Sequence, residues 1–197
     1  MITVMVNGLP GAGKTTLATA LARELGLPLL SKDAVKETLA DALGPGPGGA
    51  GWDRPWSTAL GRAAGETLWT LLGGAPAGAV LETPWLGAEV RGHVRAGLLR
   101  AGVEPGRTQE VWCELPLALA RQRYDQRAAQ RHPVHLDTGA GQDERWSAWA
   151  AVAAPLALGT VHRVDTSRPV DVPGLADRIR TGAAEGTSPW RDTPTNG

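Results

Sequence analysis

The sequence predicts an α/β fold with a parallel sheet, and three observations carry that expectation. Five short apolar runs alternate with helical stretches, the pattern of a doubly wound sheet. The first run leads directly into a glycine-rich loop and then an amphipathic helix. The 197 residues are enough for one domain with its own core.

The first run, Ile2 to Asn7, is long enough for one buried strand. Gly8-Leu9-Pro10-Gly11-Ala12-Gly13-Lys14-Thr15 follows and fits the phosphate-binding pattern G-x-x-x-x-G-K-[ST]. Beyond it Leu17, Leu21 and Leu25 share one helical face, and Gly26 suits the helix end. Strand, loop and helix thus come in the order a phosphate site needs. The glycines let successive backbone N–H groups curl inward around an anion, and the helix adds its positive end. Lys14 is expected to reach the β- and γ-phosphates and the Thr15 hydroxyl to ligate Mg²⁺, with Thr16 completing the nucleotide-binding set.

Residues 27–31 read as a second strand and 34–43 as a helix. Asp33 therefore stands at a strand's carboxyl edge, where open α/β sheets bind ligands. It is the first candidate for a catalytic carboxylate, though the position also suits a helix N-cap. Residues 44–51 form a glycine-proline loop followed by Trp52 and Trp56. Such a loop is expected either to close over a substrate or to pack its tryptophans on the domain. A helix over 57–72 precedes a buried strand over 77–84 that contains Glu82. Glu82 occupies the place of a metal-facing acid, with orienting the substrate or capping the next helix as the alternatives. Trp85 is expected to wall the acceptor pocket.

A helix over 87–101 and a strand over 108–114 come next. Pro116 opens a helix along which Arg123, Arg127 and Arg131 are spaced i, i+4, i+8. On one face these charges repel unless they meet an anion. With the break at His132-Pro133-Val134-His135, the stretch at about 121–142 reads as a lid over transferring phosphoryl groups, or else as a solvated arginine face. His132 and His135 are held as lid or acceptor-pocket residues. A helix over 143–154, a strand over 160–166 and a helix over 172–180 complete the domain at about residue 181, and 182–197 reads as a flexible tail.

Composition narrows the field. Twenty basic and 20 acidic residues balance, so the broad positive field of a nucleic-acid binder is absent. A lone cysteine, Cys113, cannot form an internal disulfide. Nothing reads as a signal peptide or membrane span, so a cytoplasmic location without membrane contact is expected. Lysine occurs only at 14, 32 and 36 in an otherwise arginine-based chain, which marks Lys14, and with it Lys32 and Lys36, as candidates for positions that need a compact point charge.

These residues resemble the small P-loop kinases and phosphotransferases. That group includes shikimate and gluconate kinases, chloramphenicol phosphotransferase, the zeta toxins and polynucleotide 5′-kinase. The local likeness is strongest to the AAA-domain kinase-like proteins of the chloramphenicol phosphotransferase and zeta toxin type. It rests on residues 8–17, Ser31-Lys32-Asp33, Arg123-Tyr124 with Arg127, Arg131-His132-Pro133, and Val164-Asp165-Thr166-Ser167. The resemblance implies a three-layer P-loop NTPase fold with sheet order 2-3-1-4-5, a helical lid, and ATP with Mg²⁺ as donor. It further implies Asp33 as general base, Lys36 near acceptor or phosphate, and a lid arginine on the transferred group, Arg127 first. Thr166, Ser167, Arg168 and Pro169 would border adenine. The expected activity is phosphorylation of a hydroxyl on a small molecule, such as an antibiotic, another secondary metabolite or a sugar. The alternatives are a polynucleotide or nucleoside 5′-kinase and a non-catalytic regulatory ATP-binding module.

Overall fold

The computed structural model describes residues 1–46, 51–136 and 141–185. Five strands form one sheet: β1 (Ile2–Gly8), β2 (Leu29–Ser31), β3 (Gly78–Glu82), β4 (Gln109–Glu114) and β5 (Thr160–Asp165). Their order is β2-β3-β1-β4-β5, and every neighbouring pair is parallel. The helices are α1 (Lys14–Leu25), α2 (Lys32–Leu43), α3 (Arg54–Gly73), α4 (Ala88–Arg100), α5 (Leu117–Gln126), α6 (Gln142–Ala151) and α7 (Val172–Glu185). The expected sheet order is the observed one.

Alternation along the strands builds the three layers. Val4, Val6, Val80, Val111 and Cys113 face one side, where they pack with Leu17 and Leu21 of α1 and Leu175 and Ile179 of α7. Met5, Ala79 and Leu81 face the other, against Leu68 and Leu72 of α3 and Val94 and Leu98 of α4. Both faces are covered, as a parallel sheet requires. Register aligns Val6 and Ser31 with Glu82, and Gly8 with Cys113. The carboxyl ends of β1, β2 and β3 therefore meet at one edge.

Several boundaries differ from expectation. Strand β2 keeps only residues 29–31, because Leu27 still closes the end of α1 through its N–H to the Ala22 carbonyl at 3.0 Å. Helix α2 begins at Lys32, not 34, so its N-cap is Ser31 and Asp33 lies in its first turn. Helix α3 begins at Arg54, where Asp53 caps it by accepting the Trp56 N–H at 2.7 Å.

The arginine helix is the main correction. Helix α5 stops at Gln126, and short 3-10 turns follow at Ala128–Gln130 and Pro133–His135. Arg127 is a C-cap and Arg131 is extended, so Arg123, Arg127 and Arg131 do not share a helical face. Only Ala120 and Tyr124 of α5 are buried; past them no apolar side chain anchors a further turn, and Pro133 holds its predecessor out of the helical region. Helix α7 runs on to Glu185, past the boundary expected at 181. The rest of the expected tail, part of the 44–51 loop and residues 137–140 of the expected lid lie outside the described residues.

Candidate functional site

The phosphate-loop motif bridges β1 and α1 as its pattern requires. Gly11 (φ 77°) could not carry a side chain, since a Cβ there would stand 2.1 Å from the Ala120 carbonyl oxygen of α5. Gly13 (φ 78°) is the N-cap of α1 and offers no side-chain cap, leaving the helix's first N–H groups for an anion. Lys14 is buried, and its ammonium donates to the Leu9 carbonyl at 2.9 Å, folding the side chain back over its own loop.

Glu82 stands behind the loop at the end of β3. Its Oε1 accepts from Thr15 Oγ1 at 3.3 Å and its Oε2 from Ser31 Oγ at 2.7 Å, so one carboxylate joins the ends of β3 and β2 to the start of α1. Ser31 spends its hydroxyl there and makes no capping bond to α2. Burial pushes Glu82 above the usual carboxylate range against the pull of Lys14, and lowers Lys14 against the pull of Glu82. Burial also pushes the neighbouring Cys113 thiol up to about 12, which removes it as a nucleophile.

In front of the loop opens a cavity of about 490 Å³. It brings together Lys14, Thr15, Asp33, Glu82, Arg127, Arg131 and His135. Asp33 is half exposed, and Arg131 Nη2 lies 3.9 Å from its Oδ2. The Arg131 guanidinium also sits 4.9 Å from the centre of the Tyr124 ring. Arg127 lines this cavity and a second one beside it with Thr15, Thr16 and Arg23.

Other expected site residues stand elsewhere. Arg123 donates to the carbonyls of Thr166 at 2.9 Å and Ser167 at 3.5 Å, and does not line the cavity. The 166–169 segment borders the phosphate loop, with Thr166 Cβ 4.0 Å from where a Cβ on Gly13 would be. Ser167 and Arg168 both turn back to Asp165. Lys36 donates to Ser57 Oγ at 2.9 Å and the Val134 carbonyl at 3.4 Å, outside the cavity lining.

The three tryptophans assigned to the acceptor pocket pack on the domain. Trp85 is buried against Trp69 at 6.4 Å between ring centres. Trp56 donates its indole N–H to the Gly44 carbonyl at 3.1 Å. Trp52 meets His132 edge-on at 5.6 Å. His132 Nδ1 accepts the Val134 N–H at 3.1 Å, which leaves the proton of the neutral ring on Nε2, 3.1 Å from Asp41.

Sequence reasoning missed Glu37, Pro84, Gln130 and Trp149, all of which line the cavity. Glu37 had a signal: Asp33, Glu37 and Asp41 recur every four residues on α2. Trp149 had none, because it reaches the site through an aromatic cluster with Tyr124 and Trp146. A buried hub was missed too. Asn7 accepts from the N–H groups of Gly8 (2.8 Å) and Trp85 (2.9 Å), and donates to the Trp85 carbonyl (3.0 Å) and Glu110 (2.9 Å). All its hydrogen-bonding capacity is used in fixing the entry to the phosphate loop.

Comparison with known proteins places this arrangement. A family model described as AAA domain matches residues 3–156. A provisionally assigned kinase from Chloroflexus aurantiacus is 29% identical, with a TM-score of 0.75 over 92% of this chain and 97% of its own. Shikimate kinase from Acinetobacter baumannii, in complex with shikimate, is 18% identical, with a TM-score of 0.58 over 95% of each chain. APS kinase from Mycobacterium tuberculosis, in complex with AMPPNP and APS, is 20% identical, with a TM-score of 0.57 over 93% of this chain and 97% of its own. These last two likenesses show the fold alone. Cytidylate kinase from Pyrobaculum aerophilum is 46% identical over 44 residues, only 22% of this chain and 24% of that enzyme. With most of the sheet and its phosphate loop inside the matched span, the chain belongs to the AAA-domain family, on the fold of the small P-loop kinases.

Proposed function

We propose that the chain is a kinase transferring a phosphoryl group from ATP to a hydroxyl of a small molecule. One observation carries this reading: Asp33 opens into the same cavity as Lys14, Thr15 and Arg127. Ser31 holds the cap position of α2, so Asp33 has no capping role. A half-exposed carboxylate in the first turn of a helix, beside a phosphate loop, suits a proton acceptor for an incoming hydroxyl.

The remaining groups divide the charge. Lys14, held by the Leu9 carbonyl, would swing to the β- and γ-phosphates. Arg127 would neutralise the group in flight. Thr15 and Glu82, already 3.3 Å apart, fit a site for Mg²⁺, which when bound would offset charge on the bridging phosphate oxygens. Arg123 holds the 166–167 turn that would border adenine. Positioning and electrostatics of this kind are most of what phosphoryl transfer needs.

An antibiotic, another secondary metabolite or a sugar remains the expected acceptor class, and a cytoplasmic location would supply the ATP. Among the described residues no helix is long and apolar enough to cross a membrane. A nucleoside or polynucleotide kinase is the second reading, favoured by the short cytidylate kinase likeness and by Tyr124 and Trp149 in the cavity wall, where a base could stack. An ATP-consumption screen over hydroxylated small molecules, nucleosides, CMP and 5′-hydroxyl oligonucleotides tests both. Asp33→Asn is expected to lower kcat about 10²–10⁴-fold with the KM for ATP little changed, and Lys14→Ala to abolish turnover. Wild-type turnover by Asp33→Asn would remove Asp33 as the base.

A further inference from the structure

Resting on that kinase reading, we propose that the acceptor is a polyol or amino alcohol without a carboxylate, recognised through hydrogen bonds it donates to Asp33 and Glu37. The two carboxylates lie one turn apart on α2 and both line the cavity. Glu37 Oε1 is bonded to His135 Nε2 at 2.7 Å. Among the described residues nothing bonds its Oε2, which is left for a hydroxyl or ammonium of the acceptor.

The cations tell the same story from the other side. A carboxylate-bearing acceptor needs a guanidinium or ammonium at its far end, best as a bidentate fork. Every cation lining the cavity has another task. Lys14 belongs to the phosphate loop, and Arg127, which also lines the second cavity with Thr15 and Thr16, is the arginine proposed for the transferred phosphoryl group. Arg131 faces Asp33 at 3.9 Å and lies over the Tyr124 ring. His135 is taken by Glu37, with only 7% of its side chain exposed. Lys36 turns away to Ser57 and Val134.

By sequence, neither 47–50 (Pro-Gly-Gly-Ala) nor 137–140 (Asp-Thr-Gly-Ala) contains a basic residue. An acid entering the cavity would set its charge against the carboxylates of both Asp33 and Glu37, and like charges held close together disfavour one another. Pro84 and Trp149 complete the wall with apolar surface, suited to the C–H face of a sugar or cyclitol ring.

The test is a coupled ATP-turnover assay on the full chain with Mg²⁺, using three matched sets of five- to seven-carbon compounds: neutral sugars and cyclitols, their amino counterparts, and the corresponding aldonic, uronic and cyclic hydroxy acids. Turnover is expected in the first two sets, at least tenfold above any acid. An acid that is the best acceptor overturns the proposal and leaves the kinase reading standing. Silence in all three sets overturns the proposal, and the kinase reading falls with it only if the wider screen of hydroxylated small molecules, nucleosides and oligonucleotides is silent too. With a substrate found, Glu37→Gln is expected to raise the acceptor KM at least tenfold, with kcat within threefold and the KM for ATP within twofold. An unchanged acceptor KM, or an equal rise in both KM values, overturns the role of Glu37.

Discussion

Three arginines in nine residues looked interchangeable along the chain, and their contacts separate them. Arg123 is tied to the carbonyls of Thr166 and Ser167. Arg131 is shared between Asp33 and the Tyr124 ring. Arg127 lines both cavities and makes no ion pair among the described residues, so it is the side chain most available to an arriving phosphate. Arg127→Ala is therefore expected to lower kcat by about 10³-fold, the low end of what such an arginine supplies, with little change in acceptor KM. Arg123→Ala should instead raise the KM for ATP several-fold while kcat holds, because it would loosen the turn proposed to border adenine. Steady-state kinetics on both variants check this; equal losses of kcat would return Arg123 and Arg127 to one role.

The segment 131–135 lies along α2 as a strap, and here the sequence was least readable. Arg131 faces Asp33, His135 bonds Glu37 and His132 bonds Asp41, three successive turns of one helix. Beneath these pairs Val134 is fully buried with Ala40 and Leu60, and its carbonyl accepts from Ser57 Oγ at 2.6 Å. A charge period of four read naturally as a continuing helix, since local pattern carries no sign of what lies opposite. The same blindness left Trp52 and Trp56, beside a glycine loop, open to a pocket or to packing on the domain; they pack, against Val134, Leu60 and Ala40. Local residues did foretell the phosphate loop, Asp33 at the strand edge and Glu82 behind the loop, because each needs only a strand end and a fixed spacing. The strap's strength should come from its apolar peg. Val134→Ala removes two buried methyl groups and should cost about 2 kcal/mol, whereas Asp41→Ala breaks an exposed pair and should cost under about 1 kcal/mol. Urea denaturation of the two variants checks the ranking, and a larger loss for Asp41→Ala would make the strap electrostatic.

At the scale of the whole molecule, strand alternation predicted a doubly wound sheet, and the family resemblance supplied its order. Neither announced the polar bonds that tie the layers. Glu110, buried in β4, accepts from Asn7 Nδ2 and from the N–H groups of Leu156 and Ala157 at 2.9, 2.9 and 2.8 Å. It thereby pins the loop before β5 to the strand that carries the phosphate loop. The β5 edge holds a titratable group as well. His162 Nε2 lies 2.8 Å from Gln109 Oε1, and burial, aided by Arg178, lowers its pKa below the ordinary 6.5. Above 6.5 the ring is neutral in folded and unfolded chains alike and adds no pH dependence. As pH falls through 6.5 the unfolded chain takes up a proton that the folded chain resists, so stability falls until the folded pKa is passed. The urea midpoint of the wild type should thus drop further between pH 7.5 and 5.5 than that of His162→Gln. Other groups titrate alike in both proteins, so the difference isolates this ring. Parallel curves would mean that His162 takes its proton as readily in the folded sheet as in the open chain.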